Sequence, residues 1–185
     1  MTKAGKTALA WGAVALGAAA AVVAIFWPRS ASASEGGSMI PSVAEVQNII
    51  RRVMAGSQIP VWFALAVAEL ESGFGRAPRG DRGRSFGVFH IFFPIHKENL
   101  SRIGVTSGEQ LDDVELSATF WRDEIAGVFA RAVGATPDDP ASWERVRLRL
   151  AGAGGRDGTP DNASDEARLA RYRPVAEKWR AREAG

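Results

Sequence analysis

Two carboxylates, Glu69 and Glu71, close an apolar run, Val61-Trp62-Phe63-Ala64-Leu65-Ala66-Val67-Ala68-Glu69-Leu70-Glu71, that Pro60 opens and Ser72-Gly73 ends. Proline at the first helical position sacrifices no hydrogen bond and presets a helical φ. Nearly every side chain over 61–70 is apolar, which predicts a helix buried on all sides rather than an amphipathic one. Gly73 is placed to take the left-handed position past the helix end. Glu71 then lies in the last turn, where the helix dipole is negative and the surroundings are apolar, and both effects oppose ionisation. A carboxyl kept protonated near neutral pH is a general acid, the group that glycosidic bond cleavage requires. The competing reading is that Glu71 is the solvated end of a core helix. Glu69 points in a widely different direction, so the two do not share one site. A structural hydrogen bond or a helix edge is expected for Glu69.

A second group of candidates follows about a dozen residues later, in Ser85-Phe86-Gly87-Val88-Phe89-His90-Ile91. A neutral imidazole at His90 offers one donor and one acceptor and adds a pH-sensitive group; the alternative is that His90 packs beside Phe89 and Phe92. His96 lies six residues further on, without metal-ligand spacing to a partner. With two histidines and no cysteine, a zinc site is not expected, and no other metal or cofactor is called for. Neither a Gly-x-Ser-x-Gly nor a phosphate-loop pattern occurs.

The Glu71-Ser72-Gly73 end of an Ala-rich helix, followed by Gly87-Val88-Phe89-His90-Ile91, resembles the catalytic core of the soluble lytic transglycosylases, lysozyme-like enzymes that cut peptidoglycan glycan strands. The family pattern is Glu-Ser-Gly, a short polar loop, then Gly-Leu-x-Gln-Ile. Here His90 stands in the place of the Gln. The family's late Ala-Tyr-Asn-x-Gly segment has its nearest match in Leu150-Ala151-Gly152-Ala153-Gly154, which lacks both Tyr and Asn. Tyr172-Arg173-Pro174-Val175 is similar to the family's Tyr-x-x-Val element, and Tyr172 is the one tyrosine of the chain. The resemblance runs over roughly residues 43–179.

The resemblance implies a mostly α, lysozyme-like domain. It also implies that Glu71 protonates the oxygen between N-acetylmuramic acid and N-acetylglucosamine and then, as base, helps the muramic C6 hydroxyl attack C1. One carboxylate suffices because the substrate's N-acetyl group supplies the second function, an exception to the two-carboxylate scheme. Ser72, the segment of Gly87, Val88, Phe89, His90 and Ile91, and Tyr172 are the implied glycan-binding residues. Attack by water instead would make the protein a muramidase of the goose-lysozyme kind, and a degenerate module that binds glycan without cutting it is the rival of a different class. For a small wall-cutter the implied settings are an envelope-spanning or virion assembly, or ordinary wall remodelling.

The elements that must position these residues read as helices. Residues 43–54 place Val43, Val46, Ile49, Ile50, Val53 and Met54 at helical spacing, and Ser42 with Glu45 forms a capping box. Residues 76–84 are a Gly- and Pro-broken loop with four arginines, expected to be either a solvated loop or a basic rim for stem-peptide carboxylates. Ser107 with Gln110 opens a long helix with Leu111, Val114, Ala118, Trp121, Ile125, Val128, Phe129 and Ala132 as its apolar stripe. Asp139-Pro140 caps another, with Trp143, Val146 and Leu150 inward, ended by the Gly-rich residues 151–155. The last runs from Asp165 with Leu169, Tyr172, Val175, Ala176 and Trp179, and Pro174 is expected to kink or restart it. Strand signals are confined to residues 87–93, a short extended or hairpin element.

Residues 8–27 carry no charged or strongly polar side chain, and at helical rise such a run of 20 spans about 30 Å, the thickness of a bilayer core. Trp11, Phe26 and Trp27 lie towards its ends. Lys3 and Lys6 precede it, which favours a cytoplasmic N-terminus with the remainder outside. Residues 1–27 are therefore expected to be a transmembrane anchor, with a cleaved signal peptide ending at Ala31-Ser32-Ala33 as the alternative. Residues 28–42, rich in Ser, Ala, Gly and Pro, read as a flexible linker, and residues 43–185 as one domain. The chain after residue 29 holds 20 of the 23 Lys and Arg and all 21 Asp and Glu, a net −1. That balance excludes a global nucleic-acid footprint. The expected partners are peptidoglycan strands and, through residues 8–27, a membrane.

Overall fold

The computed structural model describes residues 41–185. The anchor expected at 8–27 and most of the linker at 28–42 lie outside the described residues. Among the described residues, no helix is long and apolar enough to cross a membrane.

The class is mostly α. Helix α1 (Val43–Met54) begins where the capping box predicts: Ser42 Oγ accepts from Glu45 N–H at 3.3 Å and Glu45 Oε2 accepts from Ser42 N–H at 2.7 Å. Helix α2 (Val61–Ser72) follows, with Pro60 one position earlier than expected. Its ψ of 137° is extended, so Pro60 is the N-cap and not the first helical residue. Side chains from Phe63 to Ala68 are buried without exception, whereas Leu70 is 37% exposed. All-round burial thus holds for the middle of α2 and fails at its end, where Glu69 and Glu71 need polar surroundings. Gly73 takes the left-handed conformation at φ 59°, ψ 40°, as expected.

Three two-residue strands follow: β1 (Arg79–Gly80), β2 (Ser85–Phe86) and β3 (Ile91–Phe92), antiparallel in the order β1-β2-β3. The hairpin expected within 87–93 starts two residues earlier, and residues 87–90 are its turn. The loop read at 76–84 contains β1. It is held there because the Arg79 guanidinium grips both Asp112 oxygens, at 2.5 and 2.6 Å, and lies 4.7 Å from the Phe86 ring centre. Helix α3 (Phe93–Arg102) went unread, since Leu100 is its one buried residue and no apolar stripe marks it.

The long helix expected after Ser107 is broken into pieces. The Ser107 capping box opens a 3₁₀ turn (Gly108–Asp112), and Asp113 then caps α4 (Val114–Phe120) by accepting from Leu116 N–H at 3.0 Å. A π-helical segment (Trp121–Ala126) leads into α5 (Gly127–Val133), and Gly127 N–H bonds back five residues to Arg122 C=O. A π turn inserts one extra residue, so the buried face advances by one position beyond it. Val128 is 44% exposed and Ala132 exposed, while Ala130 is buried. The stripe expected through Val128 and Ala132 is thus wrong for α5.

Helix α6 (Pro140–Leu150) is capped by Asp139 and buries Trp143, Val146 and Leu148; Leu150 is only half-buried. Helix α7 (Ala163–Glu183) starts two residues before Asp165, on an Asn162 cap, and runs through Pro174 without the expected restart. Proline removes a single hydrogen bond there, and the burial of Tyr172, Ala176 and Trp179 on both sides of it keeps the helix together.

Helices α2 and α7 pack side by side in the same direction, with Phe63 against Tyr172 and Glu69 against Trp179. Phe63 also meets Trp143 at 4.7 Å and Trp121 at 6.1 Å, and Trp121 stacks on Phe89 at 4.2 Å with the rings 8° from parallel. This aromatic column joins the hairpin turn, the π segment, α6 and α7 to the central helix. Each such pair adds about 1 kcal/mol to the burial of its rings.

Candidate active site

Glu71 is brought together with His90. Its carboxylate, 27% exposed, projects from the last turn of α2. Oε2 lies 3.7 Å from His90 Nδ1, and Oε1 lies 2.9 Å from a terminal nitrogen of Arg147 on α6. Surroundings expected to be apolar therefore hold a guanidinium. Glu69 differs sharply: it accepts from Lys178 Nζ at 2.5 and 2.6 Å and from Trp179 Nε1 at 2.5 Å, a structural tie to α7 of the kind expected.

Ser72 is buried, and its hydroxyl is spent within the protein. It donates to Val88 C=O at 2.8 Å and accepts from Gly75 N–H at 2.8 Å. Its effect on the site is to fix the 87–90 turn against the end of α2, so direct hydrogen bonding to a sugar is not available to it in this arrangement. Gly87 explains the tightness of that turn. It has φ 73°, and a β-carbon there would run into Leu111 C=O and lie 2.7 Å from Ser117 Oγ. The side chains of Val88, Phe89 and Ile91 are all buried in the core. What this segment presents to a ligand is backbone and His90.

His90 closes the turn at φ 46°, and its Nε2 lies 2.7 Å from Ala77 C=O. A carbonyl only accepts, so Nε2 carries a hydrogen, and in the neutral ring Nδ1 faces Glu71 as an acceptor. The donor-and-acceptor pair expected of His90 is thus reduced to an acceptor. Gly80 on β1 floors the ring: a β-carbon on it would lie 2.9 Å from Nδ1. Among the described residues no aromatic ring stacks on His90, whereas His96 sits edge-on to Phe120 at 5.7 Å, outside this group.

Tyr172 lies in the core, 2% exposed, and its hydroxyl has no hydrogen-bond partner among the described residues. Burial pushes its ionisation far above the ordinary phenol range, more strongly than nearby Arg147 draws it back. The segment standing in place of the family's Tyr-Asn borders an open pocket of about 270 Å³, which Asp165 and Arg168 also line and Glu71 does not. Of the loop arginines, Arg79 and Arg84 are engaged, the latter 5.1 Å from the Phe92 ring centre; Arg76 and Arg82 are exposed. Among the described residues, no three His, Asp or Glu side chains are arranged to hold a metal ion.

Arg147 is the residue that sequence reasoning missed. The signal was present, since Arg147 lies one helical turn after Trp143 and beside Val146, on the face already read as inward. A charged side chain on a buried face needs a partner, and that requirement was the clue.

No family model matches this chain, and no curated protein or solved structure matches it either.

Proposed function

We propose that the chain is a peptidoglycan lytic transglycosylase of lysozyme-like fold, tethered through residues 8–27 with its domain outside the cytoplasmic membrane. The observation that carries this reading is the meeting of Glu71 with the 87–90 turn. A helix-end carboxyl stands accessible beside His90, and a buried serine locks the two motifs together. In the proposed reaction Glu71 gives its proton to the bridging oxygen as the bond from muramic C1 breaks, and the N-acetyl oxygen bonds to C1. The Glu71 carboxylate then takes the proton of the C6 hydroxyl as O6 attacks C1, which releases the N-acetyl group and restores the acid. The product end is 1,6-anhydromuramic acid. His90 Nδ1 accepts a hydrogen bond from a sugar hydroxyl beside Glu71.

Two observations favour a second reading, a module that binds glycan without cleaving it: Arg147 already occupies Oε1 of Glu71, and the Tyr-Asn pair of the family pattern is missing. Clearing of peptidoglycan in a gel separates the two. Wild-type clearing that Glu71→Gln abolishes supports the enzyme; wild-type protein that clears none of several glycan types leaves the binding module. Mass spectrometry of digested glycan then distinguishes anhydro ends from the reducing ends of a muramidase, which are heavier by one water.

A further inference from the structure

The Arg147–Glu71 pair combines a one-nitrogen contact with burial; Arg52 and Arg102 also meet their carboxylates through one nitrogen, but on the surface, at 61% and 67% exposure. Arg51, Arg79, Arg122 and Arg173 each grip their carboxylate with two guanidinium nitrogens. Arg147 reaches Glu71 with one nitrogen, at 2.9 Å, and forms no well-aligned hydrogen bond with it. Yet Arg147 is the most buried of the five, 18% exposed against 28% to 42% for the others. A guanidinium is a planar fork whose donors match a carboxylate two at a time. The other donors of Arg147 make no side-chain hydrogen bond among the described residues, and none of them is fully buried, so they stay open to a ligand. A ligand carboxylate that reached Glu71 would meet a guanidinium with donors to spare.

We propose that Arg147 is a carboxylate receptor: it rests on Glu71 in the free chain and passes to a carboxylate of the bound glycan, which leaves the Glu71 carboxyl to the glycosidic oxygen. This rests on the glycan-cleaving reading above and adds a substrate preference to it. The carboxylate has two sources in peptidoglycan. One is the lactyl group on the muramic ring itself, free in strands stripped of peptide. The other is the stem peptide of intact strands. A chitin oligosaccharide has the same backbone and no carboxylate.

The exchange has a signature that does not depend on turnover. Because Glu71 and the ligand compete for one guanidinium, removing the charge of Glu71 strengthens carboxylate binding, and removing Arg147 weakens it. The test is calorimetric titration of the purified full-length chain with three tetrasaccharides: chitin-derived, peptide-free muramoyl, and peptide-bearing muramoyl. Glu71→Gln is expected to bind one muramoyl ligand about tenfold tighter than wild type, and Arg147→Gln to bind it about tenfold weaker, the scale of one charge-assisted contact. The chitin ligand, which carries no carboxylate, does not show this pair of opposed shifts. Whichever muramoyl ligand carries the effect identifies the source. Arg147→Gln that binds all three as wild type does overturns the proposal while leaving the enzymatic reading intact. If Arg147→Gln also loses chitin, Arg147→Lys decides: a retained preference for the carboxylate supports the receptor, and a lost one defeats it. Wild-type protein that binds none of the three sugars defeats the glycan reading itself.

Discussion

The Ser72 hydroxyl donates to the Val88 carbonyl across 2.8 Å, and this bond makes one unit of two motifs sixteen residues apart. The helix end that carries Glu71 and the turn that carries His90 cannot separate without breaking it. The same oxygen accepts from Gly75 N–H, so it also shapes the exit from α2.

Ser72→Ala strands the Val88 carbonyl and the Gly75 N–H in a buried setting. The expected loss is about 2–3 kcal/mol of stability. Urea unfolding reads it as a lower midpoint at unchanged slope. A midpoint equal to wild type would mean that water or a rearranged backbone replaces the hydroxyl.

Glu71→Gln and Glu69→Gln should fail in opposite ways. Glu71→Gln keeps its fold and loses glycan clearing, a rate loss on the order of 10² to 10⁴ for a general acid. Glu69→Gln weakens the tie to Lys178 while its amide oxygen still accepts from Trp179. It should cost about 1 kcal/mol, discounted because Lys178 is partly exposed, and retain substantial clearing. Clearing assays beside thermal melts test both. The opposite pattern would transfer the acid role to Glu69.

Gly80→Ala and His90→Ala should lower clearing to the same extent, and the double variant no further. The added methyl displaces the imidazole from Glu71, so both changes remove one contact. Additive losses would show that Gly80 acts by another route.

Tyr172→Phe deletes a buried hydroxyl that has no partner. Stability should rise by about 1 kcal/mol with clearing unchanged. Loss of clearing in this variant would return the hydroxyl to the glycan site.

Burial holds the His96 imidazole below its ordinary value of 6.5, against a smaller upward pull from Glu124. The unfolded chain therefore takes up a proton where the folded chain does not. This contribution to stability is full above 6.5 and is lost as pH falls below it. Thermal midpoints followed from about pH 7.5 to about pH 5 should drop more steeply for wild type than for His96→Gln. Parallel curves would rule His96 out as the source.

The parts of this molecule legible in its sequence are those set by local chemistry. The Ser42–Glu45 box, the Gly73 cap and the Asp139 cap all follow from a few neighbouring residues. What was not legible depends on distant partners. The π turn at 121–126 leaves the apolar pattern upstream intact and rotates it downstream, so a constant period misplaced Val128 and Ala132. Pro174 argued for a kink or a restart, and burial on both sides of it overrides the restart. At the site, the spacing of Glu71 and His90 was informative, but the resemblance that selected Ser72 and Tyr172 as glycan contacts does not reveal that Ser72 is a strut and Tyr172 part of the core. Arg147 comes from a helix 76 positions further along, and nothing local to Glu71 announces it.

The parallel pairing of α2 with α7 also dictates an order of assembly. The central helix is apolar through its middle turns, and its principal cover among the described residues, with Tyr172 and Trp179, comes from the last of the described helices in chain order. Until residues 163–183 are made, α2 has no partner for that face, and the nascent chain has no complete core to collapse around. The cover of α2 is therefore completed late in synthesis. A chain stopped before Trp179 would expose α2, the most apolar of the described helices, to chaperones and proteases, whatever the quality of the helices already synthesised.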